Sequence, residues 1–230
     1  MILDIINQMR AGGDVSFAIV QTLFCLLIVL FSLSLHETAH GYVAYKMGDP
    51  TARNLGRLSL NPIKHLDPIG FLCMLVAGFG WAKPVPINTR YFKNPRRGMA
   101  ISAAAGPISN LLLALLCIII IRIVFFFWTS ANLVLELIVM FFWMAAYMNI
   151  TLAVFNLLPV PPLDGSRLFY VFLPPRLYFG VMKYERIISL VIMLLLITGV
   201  LSPVISTVAN GLLYGMLRLV GLGQYIGFLF

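Results

Sequence analysis

Charge is what this sequence has least of: charged residues make up 10% of its 230 positions, and only 8 are acidic, against 61% hydrophobic. A soluble domain carries about 25% charged and about 45–50% apolar residues, so the shortage excludes an ordinary water-soluble fold and predicts an all-α polytopic membrane protein. Cysteine is also sparse. Cys25, Cys73 and Cys117 lie in separate apolar runs with no paired spacing, which excludes a disulfide framework or a cysteine zinc site and leaves them as small packing residues. No polar stretch between apolar runs exceeds about 30 residues, below the roughly 50 of a small domain, so no separate soluble module is expected. The chain reads as one membrane-embedded unit, residues 1–230, with a core over 17–170 and C-terminal helices over 171–230. The net charge of +8 comes from basic residues in short loops between apolar runs. They mark cytoplasmic loops under the positive-inside rule, and with no basic face on a soluble domain, nucleic acid is not an expected partner.

The uncharged runs place the spans. Residues 17–35 carry no charge, close to the roughly 20 needed to cross a bilayer core, and helical periodicity continues to about Tyr45 before Gly48, Asp49 and Pro50 end it. Residues 98–121 form a second run, closed by Arg122 and an interfacial "FFFW" cluster, and 133–155 a third, with Glu136 one turn inside its start. Residues 187–217 are uncharged but interrupted by Gly199, Ser202, Pro203 and Gly211, which leaves one kinked span or a tight hairpin open. The N-terminal stretch, broken at Gly12 and Gly13 and without a cleavage pattern, reads as an interfacial helix rather than a signal peptide. The expected architecture is a bundle of about five to six apolar helices.

The segment "DPIGFLCMLVAGFGWA", residues 67–82, decides the topology. Arg53, Arg57 and Lys64 precede it, and Lys83, Arg90, Lys93, Arg96 and Arg97 follow it. If both flanks are cytoplasmic, the segment re-enters the membrane and returns; a full crossing is the alternative. Re-entry brings the C-terminal ends of the first and third long spans, "HETAH" and "NLLPVPPLDG", to the same cytoplasmic face.

In H-E-x-x-H on a helix, His36 and His40 point from one face and can ligate a single Zn2+, while Glu37 is placed to take a proton from the attacking water. Two of the chain's three histidines fall at this spacing. A third protein ligand is then wanted. Glu136 belongs to the opposite membrane face, Asp49 and Glu185 to loop or helix-end contexts, and Asp67 to the start of the re-entrant segment. Asp164 is favoured, because it follows the third long span on the correct side within a Pro-rich run, although an ordinary Asp-Gly turn competes with that reading. A different H-E-x-x-H protease would use a glutamate on a downstream helix, and Glu136 and Glu185 are the only glutamates left for it. His65, in "LNPIKHLDPIG", is open between orienting its loop, bonding near the site and anchoring at lipid headgroups.

"HETAH", "AAAGPISN" at 103–110 and "FNLLPVPPLDG" at 155–165, in that order over about residues 17–170, resemble the site-2 protease family of intramembrane zinc metalloproteases. The resemblance implies one zinc ion per chain held by His36, His40 and Asp164, Glu37 as general base, and Asn156 holding the substrate strand or stabilising the developing oxyanion. It also implies hydrolysis of peptide bonds in or next to transmembrane segments of a substrate protein, in a bacterial cell membrane. The small residues from Ala103 to Gly106 allow close backbone approach, so packing is the expected role of that stretch, with Asn110 at most supporting the site. "GWAKPVPIN", 80–88, looks like the family's membrane-associated β-hairpin or loop, here placed near 80–92. An alternating run with prolines suits an exposed edge, and Lys83, Pro84, Val85, Pro86 and Asn88 are its candidate substrate-binding residues. Family members with PDZ or nucleotide-sensing domains differ from this chain, so substrate selection is expected from the 80–97 loop, the membrane or a partner. A zinc transporter or a structural membrane protein is the alternative reading.

Overall fold

The computed structural model describes residues 14–77, 80–127, 132–174, 180 and 183–225; residues 1–13, where the interfacial helix is expected, lie outside them. The described helices are α1 (Val15–Lys46), α2 (Thr51–Asn54), α3 (Pro68–Ala77), α4 (Pro95–Phe126), α5 (Leu133–Asn156), α6 (Asp164–Tyr170), α7 (Glu185–Ile197) and α8 (Ser202–Leu219). Three of them, α1, α4 and α5, are long and apolar enough to cross a membrane. Their starts follow from local chemistry. The Asp14 carboxylate accepts the Ser16 and Phe17 N–H groups, Asn94 caps the Arg97 N–H ahead of Pro95, and Asn132 caps Val134. At 32 residues, α1 extends about 48 Å, longer than a core of about 30 Å, and its C-terminal half carries the histidines.

α4 runs between α1 and α5 and also packs on α6. Ala114, Cys117, Ile118 and Ile121 of α4 meet Ala145, Ala146, Ile150 and Val154 of α5 and Ile28 of α1. Small residues at these positions let the helix backbones approach closely, which is the main source of attraction between helices whose other faces contact lipid. Leu23, Leu27 and Phe31 of α1 and Ile108, Leu112 and Leu116 of α4 point outward and are exposed, as lipid-facing residues are. α8 packs on α5, burying Ile205, Ala209, Leu213 and Leu217. The uncharged run 187–217 is two helices, because Gly199 adopts a φ of +74° that breaks the run between α7 and α8.

α3 has 10 residues and extends about 15 Å, half a bilayer core. The chain then doubles back: Gly70 sits against the Trp81 backbone and Gly80 against the Gly70 carbonyl, positions that no side chain would allow. The ends of the segment are paired by an antiparallel bridge between Leu66 and Ala82 and by the Lys83 N–H donating to the His65 carbonyl at 2.7 Å. The two ends of the segment therefore lie side by side. Among the described residues there is no β-strand; residues 80–88 form an extended loop held by that single bridge rather than a hairpin.

Candidate metal centre

His36 and His40 lie one turn apart on the part of α1 that projects toward α4 and α6, and both are buried. Their Nε2 atoms are 2.9 Å apart, and each faces the same carboxylate oxygen, Asp164 Oδ2, at 3.0 Å from His36 and 3.1 Å from His40. Asp164 opens α6, which begins directly under the end of α5. Gly165 permits that approach, since a Cβ there would collide with the Leu157 and Leu158 carbonyls. The glycine after the aspartate thus serves close packing rather than an ordinary turn.

The donor set fits a metal ion. The Ser102 carbonyl, which can only accept, lies 2.7 Å from His40 Nδ1, so that nitrogen carries the proton and Nε2 presents a lone pair to the cluster. A lone pair, a second imidazole nitrogen and a carboxylate oxygen within 3.1 Å of one another are the donor set that a shared cation would hold together. The spacing is close to the edge of about 3.3 Å expected for a tetrahedron built on zinc bonds of about 2.0–2.1 Å. Burial acts to raise the Asp164 carboxyl, but the neighbouring His36 and His40 outweigh it and hold the group well below the usual carboxylate range. Gly106 on α4 completes the shape: a Cβ there would collide with the Nε2 atoms of both histidines, in the space the ion needs.

A cavity of about 160 Å³ opens on these groups and is lined by Glu37, Pro84, Val85, Ile87, Ala103, Asn156 and Arg167 besides the triad. Glu37 is steadied by the Val85 N–H, which donates to Oε2 at 2.8 Å. The Asn156 amide donates to the Leu152 carbonyl at 2.9 Å, a helix-end bond, while the residue still lines the cavity. Of the loop residues expected to bind substrate, Pro84 and Val85 border the cavity. Lys83 and Asn88 instead anchor the loop: Asn88 N–H donates to Asp49 at 2.7 Å, and Arg57 donates to the Lys83 carbonyl at 2.6 Å. Pro86 is exposed and does not line the cavity. His65 lies away from the cavity, buried, with Nε2–H donating to the Ser59 carbonyl at 2.7 Å, an acceptor it shares with the Thr38 hydroxyl. It orients its loop, one of the three roles the sequence left open.

The family model for peptidase family M50 matches residues 125–199, which include Asn156 and Asp164 but begin after the histidines. "Putative zinc metalloprotease YwhC" of Bacillus subtilis is 39% identical over 188 residues, covering 81% of this chain and 86% of the relative. "Putative zinc metalloprotease Rip2" of Mycolicibacterium smegmatis is 30% identical over 214 residues, covering 86% of this chain and 80% of the relative. The chain belongs to peptidase family M50, the site-2 proteases. It is a zinc metalloendopeptidase of that family, embedded in a membrane, with bacterial relatives. No solved structure matches it.

Four contributors to this M50 site were not singled out from the sequence as such. Ser102 clamps His40 twice, its carbonyl taking the imidazole N–H and its hydroxyl donating to the His40 carbonyl at 3.0 Å. Asp49, Arg57 and Arg167 bracket the loop and the cavity mouth. Ser102 had one usable signal, its position one turn before Gly106 on the helix facing the histidines.

Proposed function

We propose that this M50 peptidase cuts peptide bonds in or next to transmembrane segments of substrate proteins, with Glu37 as general base and the active site toward the cytoplasmic face. The observation that carries the reading is the convergence of His36, His40 and Asp164 on one point beside Glu37, in the C-terminal half of a long apolar helix. Zinc held there would supply Lewis acidity to the attacking water and to the scissile carbonyl. Glu37 accepts the proton released by the water and passes it to the leaving amine, and the Val85 N–H holds its carboxylate in place for both transfers. Asn156, at the cavity wall, is suited to donate to the oxyanion once its amide turns from the Leu152 carbonyl. A transmembrane helix hides its peptide bonds in its own hydrogen bonds, so a substrate must unwind locally before it reaches Glu37.

The loop over Lys83, Pro84, Val85, Pro86 and Asn88 supports this reading in a narrower way than a free strand edge would. Pro84 and Pro86 have no N–H, and the donors of Lys83, Val85 and Asn88 are committed to His65, Glu37 and Asp49. An extended substrate entering here meets the loop at Pro84, Val85 and Ile87, which border the cavity. The lipid bilayer and a transmembrane protein are the partners this site requires.

The test is Glu37→Gln in purified protein with a transmembrane substrate. Cleavage is expected to fall by at least about 100-fold, the lower range for loss of a general base, while zinc content stays at one per chain. Retained cleavage would remove Glu37 from the mechanism.

A further inference from the structure

His36 and His40 do not receive equal support. His40 has both ring nitrogens engaged, whereas His36 Nδ1 is buried and meets no hydrogen-bond partner. An imidazole that ligates zinc through Nε2 carries its proton on Nδ1, and that N–H ordinarily reaches an acceptor that fixes the ring.

The register of α1 against α4 identifies where the acceptor stands. His40 faces Ser102 and His36 faces Gly106, so the two helices run antiparallel and advance four residues together. The next step sets Asn110 opposite the turn of α1 that carries Ser32. Asn110 is 0% exposed, and neither its Oδ1 nor its Nδ2 meets a partner. Helical side chains lean toward the N-terminus of their own helix. On α4 that leans Asn110 back toward Gly106, and on α1 it leans His36 toward Ser32, so the two side chains lean toward each other without meeting. Asn149, the other buried amide nearby, donates its Nδ2 to Ser32 Oγ at 2.9 Å and to the Ala145 carbonyl at 2.8 Å while its buried Oδ1 has no partner, so it is held at one end of its amide, whereas Asn110 is held at neither.

We propose that Asn110 is the positioning residue for His36: its carboxamide oxygen accepts the His36 Nδ1–H through one bridging water, the part that the Ser102 carbonyl plays directly for His40. The inference rests on reading His36, His40 and Asp164 as zinc ligands, and the experiment separates the two. Zinc affinity is measured by chelator competition on the full chain in detergent, with the absorption spectrum of the cobalt-loaded protein as a second readout. Asn110→Leu, similar in size and without an acceptor, is expected to weaken zinc by about 10- to 100-fold and to shift the cobalt spectrum. Asn110→Asp, with a stronger acceptor, is expected to bind zinc at least as tightly as the wild type; if Asn110 were only packing, a buried carboxylate there would loosen the metal. Asn149→Leu lowers thermal stability without a comparable loss of zinc. Unchanged affinity in Asn110→Leu, weakened affinity in Asn110→Asp, or an equal loss in Asn149→Leu would overturn the role of Asn110 while leaving the ligand set intact. Failure of the wild type to bind zinc would overturn both.

Discussion

Gly106 faces the Nε2 atoms of His36 and His40 so closely that even a methyl group would take the space between them. Gly106→Ala is accordingly expected to lose zinc, measured as metal per chain by atomic absorption, while the helical circular dichroism stays unchanged. Asp164→Ala should lose zinc as well, whereas Glu185→Ala, a change at the start of α7 outside the triad, should retain it. Acid should release the metal, because ligands bind in their deprotonated forms. The folded-state shift of Asp164 is downward, so its carboxylate stays ionised well below the usual value of about 3.9 and contributes no proton to release above about pH 4. Asp164→Asn, which removes the anionic ligand, should therefore weaken zinc binding throughout a chelator competition run between pH 8 and pH 4. At this scale the sequence is readable where helix geometry fixes spacing, as for His36, Glu37 and His40. It is silent on Ser102, whose contribution is partly a backbone carbonyl that any residue type would supply.

Between elements, the loop over 83–88 is held by side chains that come from elsewhere in the chain. Asp49 is 0% exposed and takes both the Asn88 and Thr51 N–H groups, and Arg57 spans the Lys83 and Pro84 carbonyls. Asp49→Ala leaves those donors without their charged acceptor and should destabilise the protein by about 1–3 kcal/mol, read as a lowered thermal midpoint with zinc still bound. These anchors were not legible in advance, because they connect residues 26 to 39 positions apart and no local spacing encodes them. The same limit applies to the loop itself. Its prolines and alternating apolar residues signal an edge, but only the contacts to His65, Glu37 and Asp49 reveal that most of its donors are already used. The 187–217 run was undecided for a different reason: an uncharged stretch has no pattern to locate a break, and the left-handed conformation of Gly199 makes it.

For the whole molecule, the charge asymmetry around residues 67–82 carried more information than the apolar runs themselves. A crossing there would have put Asp164 on the far side from His36, and the pairing of Leu66 with Ala82 explains how the two meet. Cysteines placed singly at Lys64 and Lys83, in a protein whose native cysteines have been replaced, should react with a membrane-impermeant reagent from the same side, and a cysteine at Phe127, at the far end of α4, from the opposite side. Labelling of positions 64 and 83 from opposite sides would contradict re-entry. Anomalous diffraction at the zinc edge from the full chain tests the triad most directly. One peak per chain, bonded to Nε2 of His36, Nε2 of His40 and a carboxylate oxygen of Asp164 with Glu37 beside it, is the expected result; a peak ligated by a glutamate, or one that leaves Asp164 out, would contradict it.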